Sequence, residues 1–464
     1  MKLPSRWVPV IIVLFLWTLS TRGKITVSGD EPHYLIIAES LLADRDLDLA
    51  NNYAQNDGRR FGADGLTSGA HARPNRAGAL WSVHDIGVPV LFLPIYAVTT
   101  RLAAHAPESL IARFHQTRGL FAFSLLGLTL IAMTVWATWL LLRGMERIAP
   151  KWSAIIVLVL ALSPPVLSYA ILLFPETPAF AVVCAVVWLV CLSPDELTRR
   201  RVTVVVAAVG LLPWLHRKYA FLVFGLAFLI AWTHRAYLVQ QPRRVWLMLG
   251  SVLVLPQLAL HIWTVYTWGN LGGPQMLDYL PFSLAWLPKG ALGMIFDRER
   301  GLLGYAPIYL LVPACWALTW RQSWPLAVPI MALFLPLAAF LTWSAGYSPA
   351  ARFLMPITPL LMLPAAGAVK YSVVRWSAVP LLILQVTVTL LAWWYPRDLW
   401  PRELGTNRIF DKIPVIGRGY EYWLPSIATG DSLAQGWICV ATLAILTTVI
   451  VLAARRVDAM TNFH

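Results

Sequence analysis

Charge is scarce in this chain: only 13% of its 464 residues are Asp, Glu, Lys or Arg, and long stretches contain none. With 58% hydrophobic residues and a mean hydropathy of +0.64, it carries more apolar surface than a water-soluble core can cover. The bilayer must be its solvent, which excludes a soluble enzyme with one anchor. Cysteine is equally sparse. Cys184, Cys191, Cys315 and Cys439 all lie inside apolar runs, so none staples an exported loop. There is no CxxC pair and no Cys/His cluster at zinc spacing, so the sequence indicates no metal site. Low-complexity tracts, soluble-domain boundaries and obvious repeats are also missing, which leaves a single membrane domain over 1–464.

What the chain has in abundance fits a membrane. Its 23 Trp and 33 Pro are residues that collect at interfaces or are tolerated in membrane helices. Apolar stretches near 7–20, 119–142, 153–172, 178–193, 202–215, 219–233, 245–266, 303–320, 325–343, 353–369, 376–395 and 435–454 approach the length that crosses about 30 Å of hydrocarbon. The expected fold is an all-α polytopic membrane protein of about twelve spans, within a range of about 11–13. MKLPSR followed by Trp7 to Ser20 lacks a small-residue cleavage site and reads as an uncleaved first span.

Charge assigns the sides. Segment 87–104 is apolar but short and is interrupted by Pro89 and Pro94. If it does not cross, the inside segments hold 16 Lys/Arg against four acids, and the outside holds 21 basic against 19 acidic residues. A crossing there would turn every later short basic loop outward, against the positive-inside rule. Segment 87–104 is therefore expected as an interfacial helix, within a long outer loop spanning 21–118, and both termini are expected on the cytoplasmic side of the plasma (inner) membrane. The spans carry almost no ionisable side chains apart from His261, so chemistry is expected on the outer loops rather than along a path through the bilayer.

Those loops carry the candidate site. Asp30 and Glu31 precede Pro32 at the start of a segment whose Leu35, Ile36, Ala38, Leu41 and Leu42 alternate with Glu39 and Asp44, a pattern read as an amphipathic surface helix. Adjacent carboxylates there supply either helix capping or a general base. Glu176 sits in the two-proline break Phe174–Pro178. His216, Arg217 and Lys218 place cations on the outer side, where insertion disfavours them, which asks for an anionic ligand or for simple snorkelling. Arg298, Arg300 and Arg352 lie at the mouths of spans with forks suited to phosphate. Asp297 and Glu299 have the alternative of pairing with those arginines in a solvated ion-pair face. His33, Tyr34, His84 and Tyr347 flank these clusters and complete the substrate-binding candidates.

The Asp30–Glu31 pair just after the first span, the long outer loop, the acid Glu176 in the second outer loop and about a dozen spans together resemble the GT-C superfamily of glycosyltransferases, whose members include protein O-mannosyltransferases and lipid A aminoarabinose transferases. His84-Asp85-Ile86-Gly87-Val88-Pro89 is similar to the start of that family's second interfacial helix, without its Pro-Pro-Leu spelling. The resemblance implies a polyprenyl-phosphate-linked sugar as donor, a glycan, lipid or protein as acceptor, and no nucleic acid. It implies acceptor activation by Asp30 or Glu31, with Glu176 as the second-loop acid. No cofactor is required by this chemistry, although outer-loop carboxylates have the means to hold a divalent ion. The rival classes are a secondary transporter or lipid flippase, which would show inverted repeats and charged, broken helices at the midplane, and a non-catalytic scaffold of envelope assembly.

Overall fold

The computed structural model describes residues 21, 25, 27–274, 282–417, 419–430 and 432–461. The segment expected as the first span, 7–20, lies outside the described residues.

The described residues are mostly helical. Helix α1 (Glu31–Glu39) is followed by a small antiparallel hairpin, β1 (Ala72–Pro74) with β2 (Leu80–Ser82), and by α2 (Gly87–Ala104). The bundle then runs through α3 (Arg118–Met145), α4 (Ser153–Leu162), α5 (Glu176–Val190), α6 (Arg199–Leu215), α7 (Ala220–Thr233) and α8 (Arg243–Trp268). It continues with α9 (Leu287–Phe296), α10 (Val312–Ala338), α11 (Thr358–Ala368), α12 (Ser372–Trp394) and α13 (Leu433–Thr461). Local chemistry sets several ends. The Thr117 and Thr198 hydroxyls accept the Leu120 and Arg201 N–H groups at the starts of α3 and α6, and Gly269, at φ +75°, closes α8. Five helices are long and apolar enough to cross a membrane among the described residues: Gly87–Ala104, Arg118–Met145, Arg243–Trp268, Ser372–Trp394 and Leu433–Met460.

Three expectations change. The stretch 153–172 is not one span: α4 stops at Leu162 ahead of Pro164 and Pro165, and a short helix, Val166–Tyr169, resumes beyond them, because consecutive prolines supply no N–H donors and crowd the preceding turn. The stretches 303–320 and 325–343 share one helical element, α10, preceded by a 3-10 turn, Pro307–Leu311. Its contacts nevertheless reverse. Trp316 donates to the Leu361 carbonyl and Thr319 meets Gly367, in the same order as α11, whereas Trp324 packs edge-on against Trp232 and Pro329 meets Gly225, in the opposite order to α7. One continuous helix thus stands where two separate spans were expected.

The third change concerns α1. Every residue from Glu31 to Glu39 is buried, so this is no surface helix with one wet face. Leu35, Ile36 and Ile37 belong to a core with Phe61, Val88, Phe92, Phe123 and Leu126, each such side chain contributing about 1.5–3 kcal/mol on full burial. Glu39 tolerates that environment because Tyr96 donates to it at 2.6 Å and Arg60 lies 3.4 Å away. Helix α2 packs against α1 and the first half of α3, its last turn fixed by Arg118, which donates to the Ala103 and Ala104 carbonyls at 2.9 Å.

Candidate active site

Four segments converge at the end of the bundle where α1 and α5 begin. Gly29 adopts φ +58°, and a Cβ there would stand 2.7 Å from the Tyr347 carbonyl, so only glycine lets the chain turn into α1 beside that loop. The turn presents Asp30, which makes no capping hydrogen bond. Its carboxylate instead accepts from Arg352 Nη2 at 2.5 Å. Arg352 opens a 3-10 turn after Ala351, itself at φ +59°, and its Nε donates to Glu176 at 2.9 Å. Lys218, in the 3-10 turn joining α6 and α7, donates to the same Glu176 oxygen at 2.5 Å. The result is an alternating chain, Asp30–Arg352–Glu176–Lys218.

Aromatic faces line its cations. Phe174 lies 4.3 Å from the Arg352 guanidinium and Phe353 lies 4.8 Å from the Lys218 ammonium. Exposure separates the two acids: the Asp30 side chain is 19% exposed and that of Glu176 is 0%. Burial favours a protonated Asp30, but the Arg352 guanidinium, aided by His84, outweighs it and holds the carboxyl far below the usual range. Burial also pulls the Lys218 ammonium down, to about 8, although Glu176 opposes it.

Several polar atoms here are buried without a hydrogen-bond partner: Tyr34 Oη, Tyr219 Oη, Ser168 Oγ and Glu176 Oε2. Both tyrosine hydroxyls lie within electrostatic reach of Glu176 and Arg352. Orphaned polar groups are costly in a core, and their concentration at one place is the mark of a site completed by a polar ligand or ordered water.

Beside Asp30 lies a histidine cluster. His33 and His71 stack at 3.7 Å, His71 Nδ1 and His84 Nε2 share a hydrogen bond of 2.9 Å, and His33 Nδ1 bonds the Tyr53 hydroxyl at 2.8 Å. Burial lowers all three, His33 to about 3 and His84 to about 4, so the rings are neutral at pH 7. Asp30, His71 and His84 offer ligand atoms within 4.8 Å of one another, a donor set suited to a transition-metal ion. Sequence reasoning found no such group, because His71 stands 13 residues from His84 and 41 from Asp30 and only the β1–β2 hairpin brings it in.

The remaining expected site residues divide. His216 caps its own turn by accepting the Lys218 N–H at 3.2 Å. Arg217 does not face the network: Asp85 accepts from its Nε and Nη2 at 3.0 and 2.7 Å, and the Gly272 carbonyl accepts at 3.0 Å. Gly87 makes this possible, since any Cβ there would fall 2.1 Å from the Trp214 carbonyl. Glu31 turns both oxygens onto backbone, accepting the Ser28 and Leu173 N–H groups at 3.1 and 2.8 Å. This ties α1 to the α5 approach. Tyr347 touches Gly29 through its carbonyl while its ring is exposed.

Arg298 and Arg300 are engaged by protein groups. Arg300 donates to the Ser344 and Gly346 carbonyls at 3.0 and 2.7 Å, and Arg298 stands 3.5 Å from Glu421. Asp297 and Glu299 do not form a solvated ion-pair face with them. Asp297 is buried and accepts the N–H groups of Glu299, Arg300, Ile427 and Ala428, while Glu299 accepts those of Arg402 and Gly405. His261 is exposed on α8 and bonds the Gln257 carbonyl one turn back, which gives a relay no further member.

No family model matches this chain, and no curated protein matches it. Among solved structures, the chain is similar to the crystal structure of ArnT from Cupriavidus metallidurans bound to undecaprenyl phosphate, at 14% identity and a TM-score of 0.48, over 98% of this chain and 79% of that one.

Proposed function

We propose that this protein is a membrane glycosyltransferase of the GT-C type, which moves a sugar from a polyprenyl-phosphate-linked donor to a hydroxyl-bearing acceptor on the non-cytoplasmic side. One observation carries the reading: a partly open carboxylate, Asp30, shares Arg352 with a buried carboxylate that also holds Lys218. The acceptor O–H attacks the anomeric carbon as the bond from that carbon to the phosphate oxygen breaks. The electron pair leaves with the lipid phosphate, and the acceptor proton passes to Asp30. Arg352 and Lys218 stabilise the departing phosphate, and Glu176 holds both cations in place.

A carboxylate bound by a guanidinium is a weak base. When the donor phosphate takes over Arg352, Asp30 loses that partner and its basicity rises toward the range general bases use. Donor binding and base activation are thereby one event. The reaction needs no metal on this reading, because two cations already serve the leaving group. Asp30 with the two histidines is where an ion would act if one were required. The orientation belongs to the same proposal, with the Asp30 end of the bundle outward, both termini cytoplasmic, and α2 lying on the outer surface.

The test is mass spectrometry of the purified protein for a co-purifying lipid-phosphate sugar, followed by turnover with a panel of such donors. A bound donor and transfer that depends on Asp30 support the reading. Absence of both would favour the scaffold role, in which the same ion pairs merely staple the first loop to the bundle.

A further inference from the structure

A second polar feature lies where α12 ends. Helix α12 sits at the edge of the bundle, with Trp376, Ile383, Val386 and Leu390 all exposed along it, as a lipid-facing helix requires. Past its last turn, Trp394, Tyr395, Arg397, Asp398, Arg402, Arg408 and Lys412 line an open cavity of about 400 Å³. Four cations and one carboxylate make its lining net positive. Asp398 is buried and holds two of the cations, with Arg408 Nη1 at 2.5 Å and Lys412 Nζ at 3.2 Å. Arg408 Nη1 is nevertheless buried and makes no well-aligned hydrogen bond. The Lys412 ammonium also rests 4.3 Å from the Tyr395 ring, and the Arg402 side chain is exposed on the rim.

This cavity is separate from the Asp30 network. The strap Pro396–Trp400 runs between them: Asp398 faces the cavity, and Trp400, two residues on, donates its Nε1 to Ser28 at 2.9 Å. Concentrated positive charge is disfavoured on the translocated side of a membrane, and a buried Asp398 that pre-positions two cations fits a purpose beyond solvation. We infer that the cavity at the end of α12 is a second anion site, which binds a phosphate-ester group. Its mouth at a lipid-facing helix, rimmed by the exposed Trp394 and Tyr395, favours a lipid headgroup phosphate over a water-soluble one.

The test uses the intact protein in detergent, with phosphatidic acid and diacylglycerol of the same acyl chains as probes and native mass spectrometry as readout. The wild type is expected to bind phosphatidic acid at least about ten-fold more tightly, from charge-assisted hydrogen bonds. That preference should be lost in the double variant Arg402→Gln, Lys412→Gln and should survive Arg352→Gln, which separates this site from the donor site. Arg402→Gln alone changes only an exposed side chain and decides the matter if the double variant does not fold. Displacement by millimolar inorganic phosphate would identify a water-soluble phosphate as the ligand, and its failure to displace would identify a lipid headgroup. Equal retention of the two lipids by the wild type, or a preference unchanged by Arg402→Gln and the double variant, would overturn the inference.

Discussion

The Asp30–Arg352–Glu176–Lys218 network and the Asp297–Arg300 segment lie at the same end of the bundle, and both are acids alternating with cations. They spend their charge differently. In the first, side chains pair with one another: Arg352 bridges two carboxylates and Lys218 shares the second. In the second, the acids take backbone N–H groups and Arg300 gives to backbone carbonyls. Backbone groups have fixed positions, so the second cluster is a staple for the loops around residues 344–351 and 402–428. An ion pair made of side chains can exchange one partner for a ligand of the same charge. Charge pattern alone does not distinguish a site from a staple; the identity of the partner does.

The largest expected effect sharpens that contrast. Asp30→Asn preserves shape but accepts no proton, and should lower turnover by roughly 10²–10⁴ with donor binding and thermal stability near normal. Asp297→Asn should do the reverse, costing about 1–3 kcal/mol of stability by weakening buried charge-assisted bonds, with kcat/KM unchanged in the folded fraction. Thermal unfolding and steady-state kinetics on both variants would break the comparison if Asp30→Asn turned over normally.

Next in size is the cation pair. Arg352→Gln should weaken donor binding by about ten-fold or more, as expected for loss of a hydrogen bond to a charged group worth roughly 1.5–3 kcal/mol. Arg300→Gln should lower the melting temperature and leave donor affinity alone. Titration with a fluorescent polyprenyl phosphate separates these outcomes, and equal affinity loss in both would put Arg300 back among the phosphate ligands.

A smaller effect concerns pH. The Lys218 ammonium, lowered to about 8 by burial, is charged below that pH and neutral above it. Donor kcat/KM is therefore expected to fall as pH rises through about 8, and Lys218→Arg should remove that alkaline limb because a guanidinium keeps its charge. With His33 and His84 lowered to about 3 and about 4, neither should titrate between about pH 5 and 7. A pH–rate profile with an acidic limb near 6 would contradict this.

Two further measurements bear on the surroundings of the first cluster. Chelation by EDTA is expected to leave turnover intact. Loss that is rescued by a divalent transition metal, and abolished in His71→Ala, would instead make Asp30, His71 and His84 a metal centre. For the side and path of α2, single cysteines at Gly69 and Ser109 in a cysteine-free background should both react with an impermeant thiol reagent from outside. Labelling of only one would mean that α2 crosses the bilayer.

Much of this protein is legible along the chain. Apolar run length and scarce charge are one-dimensional properties, so they marked the helical membrane character and most helix positions, and Pro32, Pro175 and Gly269 stand where helices begin or end. The charged residues of the network, Asp30, Glu176, Lys218 and Arg352, stood out individually for the same reason: each is an ion at the mouth of an apolar run. Only the tertiary structure decided which of them meet. Arg352 lies 322 residues from Asp30 and 176 from Glu176, and pairing over such separations depends on how α1, α5, α7 and α11 pack. The same packing buried α1 on all sides, gave Arg217 to Asp85 and Arg300 to backbone carbonyls, and brought His71 to His84. Hydrogen bonds act over about 3 Å, and no periodicity in a sequence carries information at that range between distant segments.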